Sequence, residues 1–198
     1  MALQGYGALV KAQSSSIVFT DEATTTSDDK SYQITDAAKR ILDYETDLVV
    51  KDDAIATTES YTVNKITGTV TFATSTPRTI TLSGSYVVLA TIAEASEFSF
   101  DGVLDTVDAT VFQAGERIYL PTLVSATATV GKFYEVTGFF TNLLFDGSVK
   151  VVELYADDSG TPFRFYATVS ANSISASVED LTRETVTLQA TDRMVVSA

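Results

Sequence analysis

Cysteine, histidine and tryptophan are all missing from this 198-residue chain, and each absence removes a class of chemistry. Without cysteine there is no disulfide framework, no thiolate nucleophile and no Cys-based metal site. Without histidine the chain lacks the usual general base near neutral pH and the commonest metal ligand. Positive charge is scarce as well: 13 Lys and Arg stand against 26 Asp and Glu, a formal net charge of -13. Binding DNA through its phosphates depends on basic side chains displacing condensed counterions, so that function is excluded. A surface of this sign repels a polyanion, which suits a wall that nucleic acid passes without sticking. No stretch approaches the ~18 apolar residues of a membrane span. Residues 1–10 carry no basic segment ahead of an apolar one, and the expectation is a soluble protein made in a cytoplasm.

What the chain does have is hydroxyl groups set at a two-residue period. From Phe163 to Met194 the pattern predicts three strands in succession. Phe163, Phe165, Ala167 and Val169 share a face of the first, Ile174, Ala176 and Val178 of the second, and Val186, Leu188 and Ala190 of the third. The opposite faces carry Thr168 and Ser170, then Ser173, Ser175 and Ser177, then Thr185, Thr187, Gln189 and Thr191. A soluble monomeric β protein tends to protect its sheet with Lys, Glu or inward-pointing charge. Uncharged hydroxyl faces instead pack at low desolvation cost, which points to a subunit of a β-rich assembly. With 45% hydrophobic and 20% charged residues the chain should fold. Its length allows one core burying roughly 70% of the unfolded surface, read as a single domain over residues 1–198.

Along the chain, residues 1–12 read as an arm in which Gly5, Tyr6, Gly7, Ala8, Leu9 and Val10 mix flexible and apolar character. Residues 14–86 form a β-rich elaboration. It holds a short strand at Ile17 to Phe19, a polar loop to Lys30, one or two helical turns over Ala37, Ala38, Ile41 and Leu42 capped by Thr35 or Asp36, and a strand at Leu48 to Val50. Tyr61 and Val63, then Val70 and Phe72, alternate around a turn from Asn64 to Gly68, predicting a hairpin with glycine at positive φ. An apolar strand from Tyr86 to Ile92 leads to Phe98 and Phe100. Residues 102–121 sustain no period and predict a long extended interaction loop. Alternation returns at Val124, Ala126, Ala128 and Val130. Thr137 as N-cap, the stripe Phe139, Phe140, Leu143 and Leu144, and Gly147 beyond it predict one helix over 137–147. The segment from Val149 to Ala156 reads as an apolar strand interrupted by Glu153. The fold class expected is mainly β: a sandwich or barrel with one flanking α-helix and a long extended loop.

Acidic doublets at Asp28 and Asp29, Asp52 and Asp53, Asp157 and Asp158, and Glu179 and Asp180 all fall in expected turns. None has the spacing of a calcium loop, and they read as solvated charge along a rim. Asp101, Asp105 and Asp108 would share a helical face and could pair as glycosidase carboxylates, yet their surroundings are not helical and no tryptophan is available for a sugar cleft. Ser27 to Lys30 matches S-x-x-K without the companion motifs of penicillin-recognising enzymes. Phe139, Phe140, Phe145, Phe163, Phe165 and Tyr166 lack the basic groove that base stacking requires, and read as packing of helix on sheet. No catalytic, cofactor-binding or metal-binding residue is assigned, and no enzyme activity is expected.

Two stretches carry a family resemblance. One is Val107-Asp108-Ala109-Thr110-Val111-Phe112 followed by Gly115-Glu116-Arg117-Ile118-Tyr119-Leu120-Pro121 and Leu123; the other is Ile174 to Leu181 followed by Thr185 to Thr191. From Phe98 to Met194 the chain resembles the major tail proteins, or tail tube proteins, of long-tailed bacteriophages. It departs from their pattern at Thr122, where a glycine is common, and at Thr191-Asp192 after the last strand. The resemblance implies a β-sandwich or barrel with a flanking helix, assembled in six-membered rings that stack into a tube through which DNA leaves the capsid. Six copies at -13 would give a ring six times -13, or -78. It further implies that the arm and the loop, through Val111, Phe112, Arg117, Ile118, Tyr119, Leu120 and Pro121, contact neighbours or the next ring. Glu179, Asp180, Asp105, Asp108 and Glu116 become candidates for the lumen or for contacts between subunits. The partners implied are other copies and the tape measure, tail terminator and tail tip proteins, with DNA passing unbound, no membrane and no cofactor. The place implied is the virion tail, assembled in the host cytoplasm.

Two other readings fit the composition. A secreted or surface β-sandwich binding module of adhesin type is also acidic and cysteine-free, though the absence of a signal segment counts against it. The tube protein of a bacterial injection machine would share the architecture without carrying DNA.

Overall fold

The computed structural model describes residues 9–108, 119–133, 138–156, 160–176 and 182–196; the side chains of residues 93–96, 104–108, 119–124, 133 and 192–196 are also outside the description. Its organising feature is a closed ring of six antiparallel strands. β1 (Leu9–Thr26) pairs with β7 (Ile80–Asp108), β7 with β8 (Tyr119–Phe133), and β8 with β11 (Arg183–Val196). β11 then pairs with β10 (Phe163–Ser175), β10 with β9 (Lys150–Tyr155), and β9 returns to β1. Closure removes the unpaired edges that invite aggregation. Period-two alternation decides which side chains enter the barrel. Val10, Val130, Val152, Leu154, Phe165, Val169, Val186 and Leu188 form its core, together with Phe140 and Leu143 from helix α1 (Phe139–Asp146). Taking each of these large side chains from water contributes roughly 1.5–3 kcal/mol.

β1 and β7 are longer than the barrel needs, and their other ends build a second lobe. Thr24–Thr26 of β1 pair with β2 (Ser31–Ile34), which pairs with β6 (Thr69–Phe72) and through it β5 (Tyr61–Asn64). At the start of β7, residues 80–83 pair with β3 (Val49–Asp52), which carries the two-residue β4 (Ile55–Ala56). Register shifts after Val10, Gln13 and Phe19 bend β1 between the two lobes. The second lobe has its own core of Phe19, Tyr32, Ile34, Leu42, Val50, Val70, Phe72, Ile80 and Leu82. A third cluster, Ile66, Val87, Val151 and Tyr166, joins the two. Val151 and Tyr166 are the outward neighbours of inward Val152 and Phe165, so this cluster fastens the lobe to the barrel's outer wall.

Much of the expected layout is present. The β5–β6 hairpin forms, and Gly68 takes φ 61 where an added Cβ would lie 2.7 Å from the Arg40 carbonyl oxygen. Asp36 caps a single 3-10 turn, Ala37–Lys39. Gly147 ends α1 at φ 67, its N–H donating to the Leu143 carbonyl. The helix begins later than expected: its N-cap is Gly138, with φ 58 and no side-chain cap, while Thr137 lies outside the described residues.

Four expectations are corrected. The polar loop expected from Phe19 to Lys30 is strand as far as Thr26, because β1 runs on to pair with β7 and β2. Leu9 to Ala12, expected within the arm, are barrel strand held between β7 and β9. The span 102–121 is not an extended loop where it is described: Gly102 to Asp108 continue β7 and Tyr119 to Pro121 begin β8, paired to each other. Alternation was hidden there by an irregularity between Leu104 and Thr106 that resets the phase. The expected triplet is a pair, because β10 runs unbroken from Phe163 to Ser175 across the expected first break. A bulge between Val169 and Ala171 shifts the inward phase to Asn172; Ile174 shares that face but lies at the end of the strand, 50% exposed rather than in the core. Ala176 follows the strand's end, and Val178 lies outside the described residues.

Candidate assembly surface

The barrel wall not covered by the second lobe is made of β7, β8, β11 and β10. Its outward positions are the phase opposite to the core: Ser99 and Asp101 on β7, Ser125, Thr127 and Thr129 on β8, Thr185, Thr187 and Gln189 on β11, and Thr168 and Ser170 on β10. Register places them in rows. Ser99 lies opposite Thr129 and Thr129 opposite Thr187; Asp101 lies opposite Thr127, Thr127 opposite Gln189, and Gln189 opposite Thr168. Thr127 Oγ1 donates to Gln189 Oε1 at 3.2 Å, and Gln189 Nε2 donates to the Ala126 carbonyl at 3.0 Å. Charge enters this wall at Asp101 and Glu97 on β7 and at Arg183 at the start of β11; the other outward positions present hydroxyl and amide groups that exchange water for a partner cheaply. A polar outside around an apolar, filled inside is the inverse of a membrane-spanning barrel.

Beyond this wall the β7–β8 pair continues alone. β11 partners β8 only from Thr127 to Phe133, whereas the β7–β8 ladder runs on to Asp108 and Tyr119. Residues 102–108 and 119–126 therefore form a two-stranded arm, with Val103 53% exposed on it. An isolated two-stranded ribbon is marginal in water without something packed on it.

The expected site residues divide between the two ends of β8. Asp108 sits opposite Tyr119, Val107 opposite Leu120 and Thr106 opposite Pro121, with Asp105 in the irregularity beside them. Val111, Phe112, Glu116, Arg117 and Ile118 fall between these strands, outside the described residues. Glu179 and Asp180 are also outside them, in the connection from Ser175 to Arg183, and Arg183 lies opposite Phe133 at the far end of β8. A 15-residue strand spans roughly 45 Å, so Asp108 and Arg183, paired at its two ends, are far apart.

Basic groups are largely consumed inside the subunit, which sharpens the acidic surplus outside. Lys39 pairs with Glu22 at 2.5 Å, Lys51 with Asp21 at 2.7 Å, Arg78 with Glu59 at 2.6 Å and Arg164 with buried Glu153 at 2.5 Å. Lys65 donates to the carbonyls of Tyr44 and Thr46 at 2.7 and 2.9 Å. The hydrogen bond to Lys51 holds the Asp21 carboxyl below its usual range, and the Ser31 and Lys30 backbone N–H groups do the same for Asp28. Asp21 and Asp28 therefore stay ionised further into the acid range than a free carboxylate.

No protein-family model matches the chain. No curated protein matches it either. Among solved structures the chain is similar to one from the tail of an empty GTA particle, computed with helical refinement in C6 symmetry, at 17% identity and a TM-score of 0.49, covering 56% of this chain and 87% of that one. It is also similar to a chain from the virion of a native gene transfer agent (GTA) particle, at 16% identity and a TM-score of 0.49, covering 56% of this chain and 89% of that one.

Cavities among the described residues include two of appreciable size. One of about 440 Å³ is lined by Thr62, Asn64, Lys65, Thr71 and Tyr166; the other, of about 720 Å³, lies between α1 and the barrel, lined by Gln13, Ile92, Phe139, Leu143 and Lys150 among others. Neither brings a nucleophile onto a general base. Among the described residues no group of three Asp or Glu could hold a metal ion. The sequence had pointed to the hydroxyl faces. It marked residues 102–121 as a long interaction segment but not as paired strands, because the irregularity at Asp105 breaks the period that would have revealed them.

Proposed function

We propose that this chain is a structural subunit of a phage-type tail tube, joining side by side into six-membered rings that stack around an acidic lumen through which DNA passes. The observation that carries this reading is the pairing of a hydroxyl-rich wall with a two-stranded arm that has no partner within the described subunit. A closed barrel offers no strand edge for assembly, so contacts must be made by its faces and by whatever projects beyond it. The wall supplies a face of low desolvation cost, and the arm supplies a ribbon that gains order by packing on another copy. Sequence resemblance over residues 98–194 supplies the ring and the tube.

In this reading Tyr119, Leu120 and Pro121, with Val111, Phe112, Arg117 and Ile118 next to them, make contacts between rings. Asp105, Asp108, Glu116, Glu179 and Asp180 lie at the lumen or between subunits. Intramolecular pairing of the basic residues leaves the lumen free to be acidic, so a DNA duplex meets repulsion rather than adhesion. The tape measure, terminator and tip proteins would be the other partners in a virion tail.

Electron microscopy of the purified full chain tests the reading. Hollow tubes or stacked rings support it; a persistent dilute monomer with affinity for glycan or receptor overturns it in favour of the adhesin reading. Reversing the charge of Glu179 and Asp180 is expected to slow DNA passage through particles whose rings remain intact. Passage at the unaltered rate would remove those two residues from the lumen.

A further inference from the structure

At one end of the barrel core, beneath α1, three side chains of complementary reactivity meet. Lys132 of β8 and Glu184 of β11 are directly opposite each other, their side chains 3% and 1% exposed, with Lys132 Nζ 3.1 Å from Glu184 Oε2. Asn172 of β10 reaches the same carboxylate from the other side, its Nδ2 2.8 Å from Glu184 Oε1 and 2.9 Å from Thr141 Oγ1 of the helix. The Asn172 Oδ1 atom is buried without a hydrogen-bond partner. Phe140 roofs the group, with Lys132 Nζ 5.6 Å from its ring centre. The inward phase of all three strands, reset on β10 by the bulge after Val169, puts these groups in the barrel rather than on its surface.

A buried ion pair is poor evidence of stabilisation, and a carboxamide with one orphaned end adds a further cost. The arrangement is better matched to a reaction. We infer that Lys132 and Asn172 form an intramolecular amide cross-link, with Glu184 as the proton-transfer group. Glu184 contacts both reactants at once, the geometry a general acid–base needs, and the burial of Lys132 and Glu184 limits competing water.

The step balances within the chain. Glu184 removes a proton from the Lys132 ammonium, freeing the Nζ lone pair. Nζ then forms a bond to Asn172 Cγ, and the Cγ–Nδ2 bond breaks. Of the two protons shed by Nζ, one completes the departing ammonia and the other stays on Glu184 or leaves with ammonia as ammonium. No oxidant, metal or nucleotide is required. Once Glu184 has taken the Lys132 proton, exchange of the Asn172 amide oxygen and nitrogen, which are interchangeable in shape, places the carbonyl oxygen on the protonated Glu184 and on the Thr141 hydroxyl, both then able to donate to it as charge develops there. The product ties β8 to β10 across β11 and closes the segment that carries α1. In a chain without cysteine it provides the covalent staple that a disulfide would otherwise supply.

The test is the intact mass of the purified full chain, followed by tandem mass spectrometry of its peptides. The expected result is a chain lighter by one ammonia, about 17 Da, with a branched peptide joining Lys132 to Asn172. Glu184→Gln, which keeps the shape of the side chain, is expected to fold and to retain the full sequence mass. A folded wild-type chain at full mass overturns the proposal. So does a loss of ammonia confined to a single peptide with Lys132 free, since a succinimide at an asparagine gives the same mass. A cross-linked Glu184→Gln chain would remove Glu184 from the reaction.

Discussion

Tyr166 donates its phenolic proton to the backbone carbonyl of Leu42 at 2.6 Å, across 124 positions of sequence. The tyrosine belongs to the outer face of barrel strand β10, and Leu42 belongs to the core of the second lobe. This bond and the ring contact of Tyr166 with Tyr44, centroids 5.2 Å apart, hold the lobe at a fixed place on the barrel.

Tyr166→Phe keeps the ring and removes the donor, leaving the Leu42 carbonyl buried. The expected cost is about 1–2 kcal/mol, read as a lower denaturation midpoint with an unchanged denaturant slope. Hydrogen exchange should rise over residues 41–44 ahead of the barrel strands. Uniform loss of protection across both lobes would show that the bond is not a local fastening.

The β3–β4 turn points the other way, toward gain. Asp53 and Ala54 occupy φ 46 and φ 68, the doubly left-handed turn that favours glycine at its second position. Both are exposed, so no packing compensates for the strained alanine. Ala54→Gly is expected to stabilise the fold by about 0.5–1 kcal/mol, the relief of a left-handed Cβ exceeding the entropy cost of glycine. Thermal unfolding measures it; a lower melting temperature would contradict the strain argument.

These two sites show where the sequence speaks and where it falls silent. The alternation of Phe165, Ala167 and Val169, of Val186 and Leu188, and of Val70 and Phe72 reported the buried faces directly, because a period of two maps onto a sheet with one wet side. Gly68 and Gly147 were legible because only glycine takes their conformations cheaply. A bulge is different: it costs one residue and leaves no compositional mark. The bulge after Val169 therefore turned one strand into two, and the irregularity beside Asp105 turned an arm into a loop. Barrel closure was equally invisible, since it rests on β1 pairing with both β7 and β9. The Lys132, Glu184 and Asn172 cluster was hidden too, because single polar residues at inward positions look like ordinary interruptions until three strands are brought together.

A second buried glutamate makes a prediction by subtraction. Glu153 is 2% exposed and is held by Arg164 Nε at 2.5 Å and by the Tyr155 hydroxyl at 2.7 Å. Arg164→Ala would leave an uncompensated carboxylate in the interior, at an expected cost of about 3 kcal/mol. Arg164→Lys should recover part of it, because a lysine restores the charge but not the guanidinium geometry. Equal stability of the wild type and Arg164→Ala in denaturant would mean that water reaches Glu153 from the outside.

Tyr155 links the same group to alkaline pH. Burial first, and then its hydrogen bond to Glu153, push the phenol up to about 12 from 10.0. A phenol with a raised folded value binds its proton more tightly folded than unfolded. Its contribution is therefore fully present below pH 10 and is lost as pH rises toward about 12. The difference between wild-type and Tyr155→Phe phenolate absorbance should titrate near the upper value, among the nine tyrosines of the chain. Stability of Tyr155→Phe should fall less steeply over that window, and a parallel fall would assign the alkaline loss to other groups.

The hydroxyl wall gives the decisive test of assembly. Thr129 and Thr187 lie opposite each other on β8 and β11, both half-buried and both pointing out of the barrel. Thr187→Lys or Thr129→Lys places one flexible cation on this wall without touching the core, so subunit stability should move by no more than about 0.5 kcal/mol. If the wall packs against another copy, each contact would have to bury an unpaired ammonium, a cost far larger than that of burying a hydroxyl. Either variant should then remain a folded monomer by circular dichroism and light scattering, at concentrations where the wild type forms rings or tubes. An unpaired lysine on an exposed wall would instead leave assembly intact, and such a result would move the contacts from the wall to the β7–β8 arm.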